Sequence, residues 1–154
     1  MAKKIYLAGF DVFRLDAVRY GQELKELCAR YGFEGLYPLD NEASSAEAIF
    51  RGNLGLIRQS DILLCNLNPF RGKEPDSGTC FEVGYGYALG KRIIGYLADG
   101  RSLRDKLEAE SDGYGVEDFG MAVNLMLGCA AEIVEGGPED ALKKLTARKE
   151  GPWD

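Results

Sequence analysis

Short apolar runs alternate along the chain with longer segments in which apolar residues recur at helical spacing. The runs predict strands, the longer segments predict helices, and the alternation predicts a flavodoxin-like, doubly wound α/β fold with a five-stranded parallel sheet. The predicted strands are residues 4–8, 35–37, 62–67, 92–97 and 132–134. The predicted helices are residues 16–31, a segment capped by Ser44 or Ser45 that ends near 59, residues 79–89 and 138–146, and a short helix or turn at 121–127.

Composition narrows the class of protein. A chain of 154 residues with 45% hydrophobic content predicts a single domain over residues 1–154. The net charge of -6 is spread along the sequence, which argues against a nucleic-acid polymer as partner. The first residues, MAKKIYLAGF, hold too short an apolar stretch for a signal peptide, and no run approaches the ~20 apolar residues of a membrane span. We therefore expect a cytoplasmic protein without membrane contact.

Side-chain chemistry is restricted further by the residue types present. The chain contains no histidine, which removes Ser-His and Cys-His nucleophile pairs and the usual zinc sites. Any reaction must be carried by carboxylates, amides and tyrosines. The four cysteines are widely separated in apolar or helical contexts, which predicts reduced thiols in the core. Val18, on the first predicted helix, is expected in the core with its helical neighbours.

Ligands of doubly wound folds bind beyond the carboxyl ends of the strands. The segments expected around the site are therefore residues 6–13, 38–42 and 66–78. The last of these, NLNPFRGKEPDSG, is rich in turn-forming residues and long for a strand-to-helix connection, so it is predicted to be a site loop.

One acidic residue, Asp76, lies near the end of that loop, and another, Glu82, follows it. Asp76 or Ser77 can cap the next helix, and Glu82 falls in its first turns. Spacing alone leaves open whether both acids complement the helix dipole or form a site. Gly84 and Gly86 each cost the helix about 1 kcal/mol relative to alanine, which predicts a close approach by the sheet, a neighbouring subunit or a ligand.

Asn53 and Tyr6 carry polar groups on otherwise apolar surfaces. The neighbours of Asn53 at helical spacing are apolar (Ile49, Phe50, Leu56, Ile57), so its amide is predicted to point toward the core and to need a partner in the backbone or a ligand. Tyr6 lies in the first strand, where its hydroxyl also requires a hydrogen bond.

Four segments resemble the nucleoside 2-deoxyribosyltransferase family over nearly the whole chain. They read KKIYLAGFDVF, YPLDNEA, NPFRGKEPDSGTCFEVGYGYALGK and VNLML, and the run D-x-G-T-x-x-E-x-G from Asp76 is the most specific part. Some members carry aspartate where this chain has Asn53. Together with the NPFRGKEPD loop, this asparagine resembles the branch that exchanges purines and pyrimidines.

The resemblance implies an enzyme that moves 2-deoxyribose between nucleobases, with retention, through a covalent ester on Glu82. Its substrates would be 2-deoxynucleosides and free purine or pyrimidine bases, and neither metal nor cofactor is required. Tyr6 would orient the Glu82 carboxylate and Asp76 would bind the base. The other implied substrate-binding residues are Gly9, Phe13, Asp40, Glu42, Asn53, Gly78, Asn124 and Met126.

The resemblance also implies a homo-oligomer in which a neighbouring subunit delivers Asn124 to hold a sugar hydroxyl. Asn53 can donate a hydrogen bond but cannot transfer a proton, so protonation of the leaving base would rest on Asp76 or be shared with water. The C-terminal carboxylate of some members reaches the site. The tail of this chain, which ends in Trp153 and Asp154, does not match theirs.

Two alternatives remain open at this stage. A hydrolase of 2-deoxynucleoside 5-monophosphates can share the fold and nucleophile, but it needs donors for a phosphate, and the apolar NLML segment argues against them. A nucleotide-sensing module could bind without turnover, yet it has no evident use for Glu82 with an acid six residues earlier.

Overall fold

A computed structural model describes residues 1–107 and 112–147. Five parallel strands form one sheet in the order β2-β1-β3-β4-β5, which is the flavodoxin-like order. The strands are β1 Lys4–Ala8, β2 Glu34–Leu36, β3 Ile62–Asn66, β4 Arg92–Leu97 and β5 Glu132–Glu135. The predicted fold class is therefore confirmed, with shifts of a residue or so at strand ends.

The helices in chain order are α1 Ala17–Arg30, α2 Ala46–Gln59, α3 Ser77–Ala88, α4 Leu103–Lys106, α5 Leu125–Ala130 and α6 Pro138–Ala147. Two short 3-10 helices, Phe10–Phe13 and Pro38–Asp40, follow β1 and β2. The single turn α4 lies in a polar stretch for which the sequence predicts no element. Within the described ranges, none of the helices has the length and apolar character needed to cross a membrane.

Side-chain caps settle where three helices begin. Ser45 Oγ accepts from Ala48 N at 3.2 Å, so Ser45 rather than Ser44 caps α2. Asp76 caps α3. Asn124 Oδ1 accepts from Met126 N at 2.8 Å, and α5 therefore starts later than the apolar pattern predicts.

The two faces of the sheet carry separate cores. Ile5 and Leu7 of β1 belong to the cluster beneath α1 and α6, whereas Tyr6 and Ala8 belong to the cluster beneath α2, α3 and α5. This split follows from the alternation of side chains along a strand. It places the Tyr6 ring, which is fully buried, on the face that α3 covers.

Three expected core positions differ from the prediction. Val18 is 77% exposed, because its place in the helical turn lies on another side of α1 from the buried Leu24. All four cysteines are free thiols, as expected, but Cys129 is exposed and Cys80 is half-buried. Cys129 lies on the outer side of α5, away from the buried Leu127.

The two glycines inside α3 have different surroundings. A Cβ on Gly86 would lie 2.6 Å from Leu63 Cδ2 of β3, so this glycine allows α3 to pack closely against the sheet. Gly84 has no described atom within 4 Å of the position that its Cβ would take. The close approach predicted from sequence is therefore confirmed for Gly86 by the sheet.

We expect opposite effects from alanine at these two positions. Gly86→Ala forces atoms together in a packed core and should lower the free energy of unfolding by about 1–3 kcal/mol. Gly84→Ala gains helix propensity and should raise it by up to about 1 kcal/mol. Urea unfolding of the two variants measures both effects. Equal losses would contradict the assignment of close packing to Gly86 alone.

Candidate active site

A cavity of about 330 Å³ opens at the carboxyl edge of the sheet. We call it the Glu82 cavity. The turn after β1, the segment after β2, α2 and the start of α3 supply its walls, as expected for a doubly wound fold. It is lined by Gly9, Val12, Phe13, Pro38, Phe50, Asn53, Leu54, Asp76, Gly78, Phe81 and Glu82.

The Tyr6 hydroxyl, beneath the cavity surface, donates a hydrogen bond to Oε2 of Glu82, which lines the cavity. Burial raises the pKa of Glu82 to about 7; the Tyr6 hydrogen bond acts in the opposite direction and the negative charge of Asp76 adds a smaller increase. Burial, and then the neighbouring Glu82 charge, raise the pKa of Tyr6, so its hydroxyl keeps its proton. The pair thus combines a permanent donor with a carboxylate that ionises near neutral pH.

Asp76 has a structural role that the sequence left open. Its Oδ2 accepts from Thr79 N at 3.0 Å and from Thr79 Oγ1 at 2.9 Å, which caps α3. Glu82 lies in the second turn of the helix and lines the cavity, so the N-terminal amide groups are served by Asp76 instead. Oδ1 of Asp76 makes no hydrogen bond within the described residues and stays available to a ligand.

Asn53 lines the same cavity and holds a polar atom that has no partner in the described residues. Its Oδ1 is buried and accepts no hydrogen bond from any residue in the described part of the chain. Buried polar atoms of folded proteins are rarely left without partners. No described backbone group serves this atom, and the contact between Asn53 and a ligand stays a prediction.

The apolar stripe expected around Asn53 is only partly in the core. Ile57 is fully buried, but Ile49 and Phe50 are 40% and 49% exposed. The first turns of α2 lie at the carboxyl edge of the sheet, where Phe50 and Leu54 line the Glu82 cavity, whereas Ile49 is exposed and does not line it. The helical spacing of apolar residues on α2 therefore corresponds partly to a cavity wall and partly to a face packed in the core.

Three exposed aromatic rings surround the cavity. Phe13 and Phe81 are 54% and 55% exposed, and Phe50 is similar. The rings of Phe50 and Phe81 lie 5.9 Å apart at 53°, and Phe13 stacks on Phe70 at 5.5 Å. Sequence reasoning missed Phe50 and Phe81 as site residues, although one directly precedes Glu82 and the other lies one turn before Asn53.

Asp40 and Glu42 do not line the Glu82 cavity. The Asp40 carboxylate accepts from Tyr37 N at 2.9 Å and pairs with Lys25, whereas Glu42 is exposed. Their role in substrate binding stays a prediction. Gly9 and Gly78, by contrast, both lie in the cavity wall.

Asn124 and Met126 line a second cavity, of about 490 Å³, which we call the Asn124 cavity. It borders the side of α3 that carries Cys80, Val83 and Gly84, so α3 separates it from the Glu82 cavity. Within one chain the structure does not bring Asn124 to Glu82. The tail with Trp153 and Asp154 lies outside the described residues.

Comparisons with known proteins agree with this geometry. A structure of a 2-deoxyribosyltransferase from Leishmania mexicana superposes with a TM-score of 0.86 at 37% identity, covering 94% of this chain and 97% of that one. A CMP N-glycosidase from Clostridium botulinum superposes with a TM-score of 0.54 at 19% identity, covering 95% and 99%, and shares the fold. A curated but uncharacterised protein from Schizosaccharomyces pombe is 34% identical over 115 residues, which are 68% of this chain and 54% of that protein. The chain thus spans about half the length of this curated relative.

The 2-deoxyribosyltransferase and the N-glycosidase structures share one α/β fold with this chain. The family model described as nucleoside 2-deoxyribosyltransferase matches residues 5–126. The chain belongs to the nucleoside 2-deoxyribosyltransferase family.

We expect the pKa of Glu82 to respond in opposite directions to two substitutions. Tyr6→Phe removes the hydrogen bond that stabilises the carboxylate, so the pKa should rise above about 7. Asp76→Asn removes a neighbouring negative charge, so the pKa should fall below about 7. Carbon-13 NMR titration of the glutamate carboxyl groups measures both. Asp61→Asn, at the opposite edge of the sheet, is the matched control, and shifts of the same sign in Tyr6→Phe and Asp76→Asn would contradict these two causes.

Proposed function

We propose that the protein transfers 2-deoxyribose between nucleobases with Glu82 as covalent nucleophile. The observation that carries this proposal is the half-buried Glu82 carboxylate, which lines a cavity with aromatic sides and accepts a hydrogen bond from the Tyr6 hydroxyl. A carboxylate in such surroundings can stabilise and then trap an oxocarbenium ion. Membership of the family supports the same reaction.

In the first step the bond between the anomeric carbon and the base nitrogen breaks, and its electron pair leaves with the base. Tyr6 occupies Oε2 of Glu82, so Oε1 is the oxygen available to attack the anomeric carbon and form a deoxyribosyl ester. The departing base takes a proton from water, which is left as hydroxide, or from the carboxyl of Asp76 in its protonated form, which is left as carboxylate. Asn53 can only donate or accept a hydrogen bond.

In the second step a ring nitrogen of the incoming base attacks the anomeric carbon from the face that the first base left, and the proton on that nitrogen passes to the group that protonated the first base. The ester bond breaks, its electron pair returns to Glu82, and two inversions give overall retention. The sugar has no 2-hydroxyl to withdraw electrons, which favours the cationic transition state. Ribonucleosides should therefore react poorly.

The base is proposed to bind among Phe13, Phe50 and Phe81, because flat aromatic groups stack on such rings. The amide of Asn53, which lines the cavity, and the free Oδ1 of Asp76 would meet its edge. An amide presents both an acceptor and a donor. This supports acceptance of both purines and pyrimidines.

A homo-oligomer is part of this proposal. Asn124 already uses its Oδ1 to cap α5, which leaves the amide nitrogen to donate to a sugar hydroxyl. It lies across α3 from the Glu82 cavity of its own chain, so it would serve the cavity of a neighbouring copy. Met126 is 73% exposed beside it, as expected for a contact between copies.

Substitution of Glu82 tests the nucleophile. Glu82→Ala should lower turnover by several orders of magnitude, and Glu82→Gln nearly as much, because neither has an anionic oxygen. Mass spectrometry of the wild type with a 2-fluoro donor should show the adduct on the peptide that contains Glu82. Glu47→Ala, at an exposed first-turn glutamate of α2, is the control and should keep full turnover. Retention of more than about a tenth of turnover in Glu82→Ala, only ~1.4 kcal/mol in the barrier, would disprove the assignment.

Donor choice distinguishes transfer from the alternatives. Chromatography should show that deoxyinosine and thymidine both yield deoxyadenosine when adenine is present, whereas inosine and uridine yield no adenosine. Without adenine, free base should form slowly. Rapid release of base from deoxycytidine 5-monophosphate without an acceptor would instead favour the hydrolase, and binding of deoxynucleosides without any product would favour the sensing module.

A further inference from the structure

One buried carboxylate has no part in the reaction described above. Asp11 lies in the 3-10 helix after β1, is only 6% exposed, and accepts from Asn66 Nδ2 at 3.1 Å and 3.4 Å through its two oxygens. Burial raises its pKa, and the hydrogen bond from Asn66 opposes that change. Burial of a carboxylate costs free energy unless hydrogen bonds replace the contacts with water that it loses.

Asp11 ends a chain of hydrogen bonds that crosses three strand ends. Ala98 N, after β4, donates to Asn68 Oδ1 at 2.9 Å, and Asn68 Nδ2 donates to Asn66 Oδ1 at 2.8 Å. Asn66, at the end of β3, is 5% exposed and also accepts from Asn68 N at 3.1 Å. Each amide is used in one orientation only, so the last group must be an acceptor.

The series of hydrogen bonds from Ala98 to Asp11 adjoins the Glu82 cavity at two points. Gly9, in the cavity wall, lies so close that a Cβ there would be 2.7 Å from Asp11 Oδ2 and 2.8 Å from Asn66 Cβ. Asn68 lies in the 66–78 loop that ends with Asp76 and Gly78 of the cavity. This series of hydrogen bonds therefore joins the Gly9 side of the cavity to the loop that leads to Asp76.

Aromatic contacts join the same two segments. The ring of Phe70 in the 66–78 loop stacks on Phe10 at 4.6 Å and on Phe13 at 5.5 Å, both in the 3-10 helix of Asp11. The Arg71 guanidinium covers Phe70 at 4.6 Å from the ring centre. These aromatic contacts hold the outer surfaces of the two segments together. The hydrogen bonds of Asp11, Asn66 and Asn68 fix the positions of their buried ends.

We propose that Asp11 is a positioning residue for deoxyribosyl transfer, acting through Asn66 and Asn68 to set Gly9 and the 66–78 loop around the substrate. The inference rests on the proposed function. It requires an acceptor at residue 11, not a charge. Asp11→Asn can still accept from Asn66 Nδ2, whereas Asp11→Ala cannot.

Steady-state kinetics with deoxyinosine and adenine test the proposal. Asp11→Ala should raise KM for deoxyinosine by about tenfold or more, because a small misplacement of binding groups has large effects, while Asp11→Asn stays within about twofold of the wild type. Ser60→Ala is the matched control, since Ser60 is also buried and hydrogen-bonded, to Ile57 O at 2.7 Å, but lies at the opposite edge of the sheet. It should lower the melting temperature without changing KM. Asn68→Ala interrupts the chain at a half-buried position and should raise KM even if Asp11→Ala does not fold.

An unchanged KM in both Asp11→Ala and Asn68→Ala would overturn the proposal, and so would an Asp11→Asn variant as impaired as Asp11→Ala. A binding measurement separates this outcome from failure of the proposed function. Calorimetric titration of deoxyinosine into Glu82→Ala, with and without Asp11→Ala, reports positioning without any transfer. If the wild type transfers no deoxyribose but Asp11→Ala still weakens the binding of deoxyinosine to Glu82→Ala, the proposed reaction is rejected and the positioning role of Asp11 is retained.

Discussion

The geometry of the candidate active site at the carboxyl edge of the sheet depends on one contact, the hydrogen bond from the Tyr6 hydroxyl to the half-buried carboxylate of Glu82. Glu82 is half-buried, and this burial raises its pKa to about 7 from its ordinary 4.5, so the folded state becomes less stable as pH rises through that interval. The hydrogen bond from Tyr6 offsets part of this cost. Such tension between stability and activity is common where a reactive group is kept in an apolar cavity.

Helix α3 gives this pair its surroundings. Its close packing on β3, which Gly86 permits, brings Glu82 within reach of Tyr6. The same helix divides the Glu82 cavity from the Asn124 cavity. A single element thus fixes the nucleophile on one side and, on the other, borders the surface where a second copy is proposed to dock.

The sequence predicted the fold and the carboxyl-edge loops well, because apolar periodicity and turn residues are local signals. It could not show that Phe50 borders a cavity, since a helical stripe looks the same over a core and over a pocket. Nor could it reveal the link between Asp11, Asn66 and Asn68, which depends on three strands meeting at one edge. The pairing of Tyr6 with Glu82 came from family resemblance rather than from spacing.

The double duty of Asp76 limits how this site can diversify. One of its oxygens closes the first turn of α3 through Thr79, and the other faces the place proposed for the base. A replacement chosen only to suit a new base would cost the helix about 1 kcal/mol unless it is asparagine, serine or threonine. New base preferences would therefore arise more readily at Phe50 and Phe81, whose exposed rings can be exchanged without disturbing a helix end.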